Sequence, residues 1–296
     1  MDKIKPMLAK DGGEVVNDPG MLFEIKYDGA RSIAFADGTM KGYRLQARSG
    51  TDKTATFPEF EFNIAKPAIL DGEIVSACGK SFQDGIQPRV NRDRDISMAV
   101  KAMPAKLVVF DVLEVDGNSV ENLPLKDRKE LLATLVTPTP TVSVAPFTDD
   151  GVALFAASRA LKAIGDGVYR QGEEGIVGKS KHGKYLRDKR EWFKVKCWQI
   201  GTFMAVGYTA GTGWRTSTFG ALVLADAKGK HVGEVGTGFN AEDIRNLMKM
   251  FSPTGVCPFP REPEPVTWIK PFSIKVRYLE MTNDGVLRFP SFKGIV

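Results

Sequence analysis

The sequence predicts an α+β chain in two parts, a mixed strand-and-helix part over residues 1–199 and a smaller β-barrel over residues 200–296. Two observations carry this. Short apolar runs of strand length alternate with helix-like segments through the first two-thirds, and beyond Gln199 the pattern becomes mostly strands with one helix. The second part also holds a proline-rich stretch (Pro253, Pro258, Pro260, Pro263, Pro265) that interrupts its strands once.

In chain order, Met21–Ile25 and residues 68–75 and 107–112 are strand-like. Residues 127–136 and 152–164 are helix-like. In the second of these Leu154, Leu161 and Ile164 share a face, and Gly165 and Gly167 mark its end. Strand character returns at 175–179 and 192–198. In the second part, residues 202–208 form a strand, and residues 219–227 and His231–Val235 form two more, joined by the turn Lys228-Gly229-Lys230. Asn240 is placed to cap a helix, with Asp243 three residues on and Ile244, Leu247, Met248 and Phe251 at helical spacing. Residues 274–281 are the last strand. Several strands and one helix within ~95 residues suit a small barrel of the OB-fold type. The joint between the parts is expected at residues 198–201.

Composition narrows the function. At 43% hydrophobic and 26% charged residues the chain reads as a soluble globular protein. No apolar run approaches the ~20 residues of a membrane span. The polar start Met1-Asp2-Lys3-Ile4-Lys5-Pro6 has no secretory apolar region, so a cytoplasmic or nucleoid-associated protein is expected. Three widely spaced cysteines (Cys78, Cys197, Cys257) make neither a disulfide framework nor a zinc site. Two histidines disfavour histidine-based metal sites and Ser-His-Asp catalysis. A net charge of +5 and a pI near 9.0 favour a polyanionic partner. Residues 179–196 hold eight Lys/Arg against two acids, a run suited either to a solvated face or to phosphate contacts.

The chemistry is concentrated in Glu24-Ile25-Lys26-Tyr27-Asp28-Gly29-Ala30-Arg31, which contains Lys-x-Asp-Gly-x-Arg. It is followed by Arg48-Ser49-Gly50, Leu70-Asp71-Gly72-Glu73, Phe110-Asp111, Glu174-Gly175-Ile176-Val177 and Trp192-Phe193-Lys194-Val195-Lys196. On these motifs, in this order, the chain resembles the covalent nucleotidyltransferase superfamily and, within it, the ATP-dependent DNA ligases. Pro6-Met7-Leu8-Ala9 is ligase-like too. Phe219–Leu222, Gly233–Phe239 and Leu287–Phe292 resemble the ligase module of bacterial end-joining ligases.

The resemblance implies a nucleotidyltransferase (adenylation) domain followed by an OB-fold domain. It implies that Lys26 attacks the α-phosphate of ATP, keeps AMP as a phosphoramide, passes AMP to the 5′-phosphate of a nick, and that the 3′-hydroxyl then seals the strand. An amine attacks phosphorus only when unprotonated, so Lys26 needs burial and nearby positive charge, from Lys194, Lys196 and Mg2+. Arg31 and Arg48 are suited to grip ribose or phosphate. Glu73 and Glu174 are hard acceptors for Mg2+ or a ribose hydroxyl. Phe110 is a candidate to stack on adenine, and Glu24 to orient it. Lys194 and Lys196 alternate with Phe193, Val195 and Cys197, so both share one strand face, the one that would meet the ATP phosphates.

The expected partner is nicked double-stranded DNA, clamped by a minimal, monomeric ligase with a flexible joint near 198–201. Ligases of this kind continue past the segment resembling Leu287–Gly294 into an Arg-x-Asp-Lys motif, whereas this sequence stops at Val296. The expectation that follows is slower adenylylation from ATP than sealing of a pre-adenylylated nick. RNA ligases and capping guanylyltransferases share the lysine motif but are not expected to match across the C-terminal third. A nucleic-acid-binding protein with a decayed ligase fold is the reading from another class.

Overall fold

The computed structural model describes residues 3–164, 174–260 and 265–296. Gly165, Gly167, Pro263 and the side chain of Ile164 lie outside the described residues. The chain divides into two compact units, Met1–Cys197 and Trp198–Val296.

The first unit is built on two sheets. One runs in the order Leu8–Asp11, Arg190–Lys196, Gly175–Ser180, Met21–Ile25 and Phe147–Thr148. The other runs Val142–Val144, Ala105–Val115, Ala68–Ser76, Ala30–Ala36 and Tyr43–Ala47, with Asn118–Ser119 paired beside Ala105–Val115. Three apolar layers account for the sequence pattern. Between the sheets, Ile33, Val75, Val108 and Phe110 meet Trp192 and Val177. On the far face of the second sheet, Leu70, Leu107 and Val109 pack on Phe57, Phe60 and Phe62 and on Leu132 and Leu135 of the helix Leu125–Leu135. On the far face of the first sheet, Phe23, Ile176 and Val195 pack on Leu154 and Phe155 of the helix Gly151–Ile164. Because both faces of Ala105–Val115 are covered, it reads as a continuous apolar run rather than an alternating one.

The second unit is an antiparallel five-stranded sheet ordered His231–Val235, Phe219–Ala225, Gln199–Ala210, Val266–Tyr278 and Ser291–Ile295. Its core gathers Phe203, Phe219, Leu222, Leu224, Ile274 and Phe292 against Ile244 and Leu247 of the helix Ala241–Met250. Asn240 caps that helix reciprocally: its side chain accepts from the Glu242 and Asp243 N–H groups at 2.8 Å each, and Asp243 accepts from the Asn240 N–H at 2.8 Å. Met248 is 38% exposed, so the buried stripe is narrower than the spacing predicts.

Several bounds differ from the sequence expectation. The strand placed at 192–198 is Arg190–Lys196, and the chain enters the next strand at Gln199. The last long strand begins at Val266 rather than 274. Leu8–Asp11, Ala30–Ala36 and Tyr43–Ala47 were not expected as strands. In Ala30–Ala36 the polar Arg31 and Ser32 break the apolar pattern: Arg31 donates to the buried Asp71, and Ser32 is itself buried.

Candidate active site

The first sheet sets one wall of a cavity. The Lys26 N–H donates to the Gly175 carbonyl at 2.8 Å, which extends the pairing of Met21–Ile25 with Gly175–Ser180 past the strand end. Register then fixes the rest. Val177 lies opposite Glu24 on one side and Lys194 on the other, and Gly175 lies opposite Lys196. Side chains two apart share a face, so Trp192, Lys194 and Lys196 point together, and so do Val177 and Lys179. Gly175 adopts φ +130°, and a Cβ there would meet the Val195 carbonyl oxygen at 2.0 Å, so only glycine allows Glu174 to enter the strand at this point.

The second sheet sets the other wall. Arg31 lies opposite Glu73 across paired strands. Gly29, two residues before Arg31, runs so close to the neighbouring strand that a Cβ would meet the Ile74 carbonyl oxygen at 2.2 Å. That contact gives the glycine of Lys-x-Asp-Gly-x-Arg its structural reason.

Within the cavity Lys26 Nζ donates to Glu174 Oε2 at 2.7 Å, and Lys196 Nζ lies 3.0 Å from Glu174 Oε1. One buried carboxylate therefore bridges two lysines. Lys194 also lines the cavity but pairs with Asp11 at 3.3 Å. The Arg31 guanidinium donates twice to Asp71, through Nε and Nη2 at 2.6 Å each, and once to the Met7 carbonyl at 3.1 Å. It lies 4.7 Å from the Phe110 ring centre and 5.3 Å from that of Trp192. Tyr185 completes this network by donating to Asp71 at 2.6 Å and accepting from the Met7 N–H at 3.0 Å. Arg48 is exposed at the cavity rim, and Phe110 is buried on its wall.

At the other end Glu24, 2% exposed, is clasped by two buried ammonium groups. Lys179 Nζ donates to its Oε2 at 2.7 Å, and Lys129 Nζ contacts its Oε1. The Lys179 ammonium also sits 4.4 Å and 4.2 Å from the Phe110 and Trp192 ring centres.

The electrostatics follow from burial and these partners. Glu73 opens onto the cavity but is otherwise enclosed. Burial, with Glu174 and Asp71 nearby, pushes its carboxyl up to about 7 against the pull of Arg31 and Lys26. Burial brings Lys179 down to about 8, with Lys129 adding to the fall and Glu24 resisting it. Burial also lowers Lys196, opposed by Glu174. For Arg31 burial pulls downward, but the Asp71 carboxylate overrides it and the guanidinium is held above its ordinary range.

Glu24, Lys26, Arg31, Arg48, Glu73, Phe110 and Lys194 all line one cavity; Glu174 joins it through Lys26, and Lys196 through Glu174. Sequence reasoning missed the roles of Lys179, Lys129, Trp192, Asp71 and Tyr185. The period-two signal was available for Trp192 and Lys179. Nothing local marks Lys129 or Tyr185, whose partners are distant in sequence. Lys179, counted in a basic run suited to solvent or phosphate, is instead buried against Glu24.

Comparison with known proteins places this architecture. Residues 6–196 match the model of the ATP dependent DNA ligase domain, and residues 215–295 match that of the ATP dependent DNA ligase C terminal region. The multifunctional non-homologous end joining DNA repair protein LigD of Mycobacterium tuberculosis is 31% identical over 312 residues, covering 99% of this chain and 38% of that protein. A DNA ligase of Archaeoglobus fulgidus is 30% identical over 291 residues, covering 91% of this chain and 50% of that protein. The chain thus spans between 38% and 50% of the length of these two relatives. The crystal structure of the ligase domain from M. tuberculosis LigD superposes with a TM-score of 0.54 at 29% identity, covering 99% of this chain and 95% of that one. The fold is a nucleotidyltransferase domain followed by a C-terminal OB-fold domain. With both family models matched in order along the sequence, the first of them spanning the Lys26 cavity, the chain belongs to the ATP-dependent DNA ligase family.

Proposed function

We propose that this chain seals 5′-phosphate/3′-hydroxyl nicks in double-stranded DNA at the expense of ATP, through AMP carried on Lys26. The observation that supports it most is the position of Lys26, whose amine lies in the cavity 2.7 Å from Glu174 and within a wall of cations and aromatic rings. In the first step the Lys26 Nζ–phosphorus bond forms and the bond from the α-phosphorus to pyrophosphate breaks. Before that the Lys26 ammonium gives a proton to solvent water and releases its contact with Glu174. Lys196 retains Glu174 as the exchange occurs, so the carboxylate keeps a cationic partner. Lys194 and Lys196 face the departing phosphates, and Arg31, fixed by Asp71, and Arg48 hold ribose or phosphate oxygens. Phe110 offers its ring to adenine, and Glu24 orients that base at the Lys129–Lys179 end.

The residues present fit Mg2+. Two carboxylates, Glu73 and Glu174, lie close enough for each other's charge to matter, and the described residues hold no cluster of three or more His, Cys, Asp or Glu for a dedicated cage. Mg2+ takes few protein ligands and completes its shell with water and phosphate oxygens. When bound it would offset negative charge on the triphosphate.

In this reading residues 1–199 are the adenylation domain and 200–296 the OB-fold domain. The protein acts as a monomer clamping nicked duplex, in the cytoplasm or at the nucleoid. The test is sealing of a 5′-phosphorylated nicked duplex with ATP and Mg2+, with covalent AMP label followed on the protein. Label on the wild type that is missing from Lys26→Ala, together with sealing, supports the reading. Label that persists in Lys26→Ala overturns it.

A further inference from the structure

Trp214 is the most exposed of the large apolar side chains described, at 79%. A tryptophan left this open is unusual, because the indole is the largest apolar side chain a fold can bury. It is also held in place. It lies in the short turn of helix Gly213–Arg215, between Gln199–Ala210 and Phe219–Ala225. Gly211 folds so tightly over this turn that a Cβ there would meet the Arg215 carbonyl oxygen at 2.0 Å. The Arg215 carbonyl accepts from the Thr218 N–H at 2.8 Å and from its hydroxyl at 3.1 Å. The Arg215 guanidinium donates through Nη1 to the Gly220 and Gly236 carbonyls at 3.1 Å and 3.0 Å. Its central carbon lies 4.8 Å from the Trp214 ring centre. The indole thus rests on a pinned cation while the rest of its surface faces solvent.

The surroundings select the partner. No acidic residue occurs between Trp198 and Ala225, and the loop around Trp214 carries Thr212, Thr216 and Ser217, all exposed. An aromatic platform backed by a guanidinium and flanked by hydroxyls, in a segment without acidic residues, fits a polyanion that also offers flat or apolar surface. Nucleic acid has that combination, with phosphates for the cation and hydroxyls and sugar and base edges for the ring.

We propose that Trp214 is a DNA contact of the C-terminal unit, its indole packing on the sugar and base edges of the nicked duplex while Arg215 faces the phosphates. This rests on the ligase reading above. It assigns Trp214 to DNA affinity and leaves the reaction of Lys26 with ATP independent of it.

The experiment compares the full chain with Trp214→Ala and Trp214→Phe. AMP loading of Lys26 without DNA is measured first, then sealing of a nicked duplex at increasing duplex and salt concentrations. Loss of one aromatic contact raises the half-saturating duplex concentration of Trp214→Ala by about tenfold. Trp214→Phe recovers part of the loss, AMP loading stays within about twofold, and the salt dependence keeps its slope because no charge is removed. Equal duplex affinity of Trp214→Ala and wild type overturns the inference. So does an unchanged affinity accompanied by loss of self-association in sedimentation, which would make Trp214 a contact between copies. Failure of the wild type itself to seal or bind any nicked duplex sinks the ligase reading and this inference with it.

Discussion

Replacing Glu24 by glutamine removes the carboxylate that compensates two buried ammonium groups. Glu24, Lys179 and Lys129 each have side chains 2% exposed. Breaking a buried pair by removing one partner costs about 3–5 kcal/mol, because the charge left behind stays desolvated. The pH dependence fixes the sign. Lys179 titrates near 8 in the folded chain, below its ordinary 10.5. Below pH 8 it is charged in both folded and unfolded chains. Between 8 and 10.5 the unfolded chain binds more protons, so stability rises with pH by up to about 1.4 kcal/mol per unit. Without Glu24 the folded lysine titrates lower still, and the variant begins to recover stability before the wild type does. The deficit of Glu24→Gln is therefore largest near pH 6, at about 3–5 kcal/mol, and shrinks by about 1 kcal/mol or more by pH 9. Urea unfolding at both pH values, followed by tryptophan fluorescence and circular dichroism, measures it. The upper limit of pH 9 matters because burial raises Cys197 to about 11, and the stability tied to its neutral thiol is lost above its ordinary 9.0. A Glu24→Gln deficit under 1 kcal/mol at pH 6, or one that ignores pH, refutes the argument. Lys129→Met supplies the internal control. It leaves a balanced Glu24–Lys179 pair, costs less than Glu24→Gln, and moves the onset of the wild-type rise to higher pH.

Three further outcomes follow from the geometry. Arg31→Lys cannot span both Asp71 oxygens, and losing one charged hydrogen bond of about 1.5–3 kcal/mol slows AMP loading by ~10–100-fold in single-turnover labelling. Asn240→Ala removes the cap of Ala241–Met250 and lowers stability by about 1 kcal/mol in thermal unfolding, with AMP loading unchanged. Gly178→Ala drives a Cβ to within 2.1 Å of the Phe193 ring, and unfolding midpoints report a loss of about 1–3 kcal/mol.

Much of this molecule was legible in its sequence where the signal is local or periodic. Asn240 and Asp243 announced the helix cap three residues apart, and the apolar spacing behind them announced the helix. Alternation put Lys194 and Lys196 on one face before any register was known. The motif order around Lys26, Glu73 and Glu174 pointed to a shared site, and the two sheets bring those three residues to one cavity region.

What escaped depends on partners distant along the chain. Lys179 looked like one more cation in a basic run, and only Glu24, 155 positions away, makes it a buried group. Tyr185 reads as an ordinary loop tyrosine until Asp71 and Met7 close around its hydroxyl. The strand Ala30–Ala36 was hidden because Arg31 is half-buried against Asp71 and Ser32 is buried, which breaks the usual alternation signal. Buried polar groups satisfied across long separations are a tertiary property, and periodicity carries no trace of them.

The central claim is that Lys26 carries AMP between ATP and a DNA nick. The most direct test is a single-turnover chase: label the protein with ATP in Mg2+, remove free nucleotide, and add a 5′-phosphorylated nicked duplex. The account predicts label on the wild type and none on Lys26→Ala, followed by loss of label from the protein as sealed strand forms. Label that stays on the protein while nicks remain open, or sealing by Lys26→Ala, would contradict it.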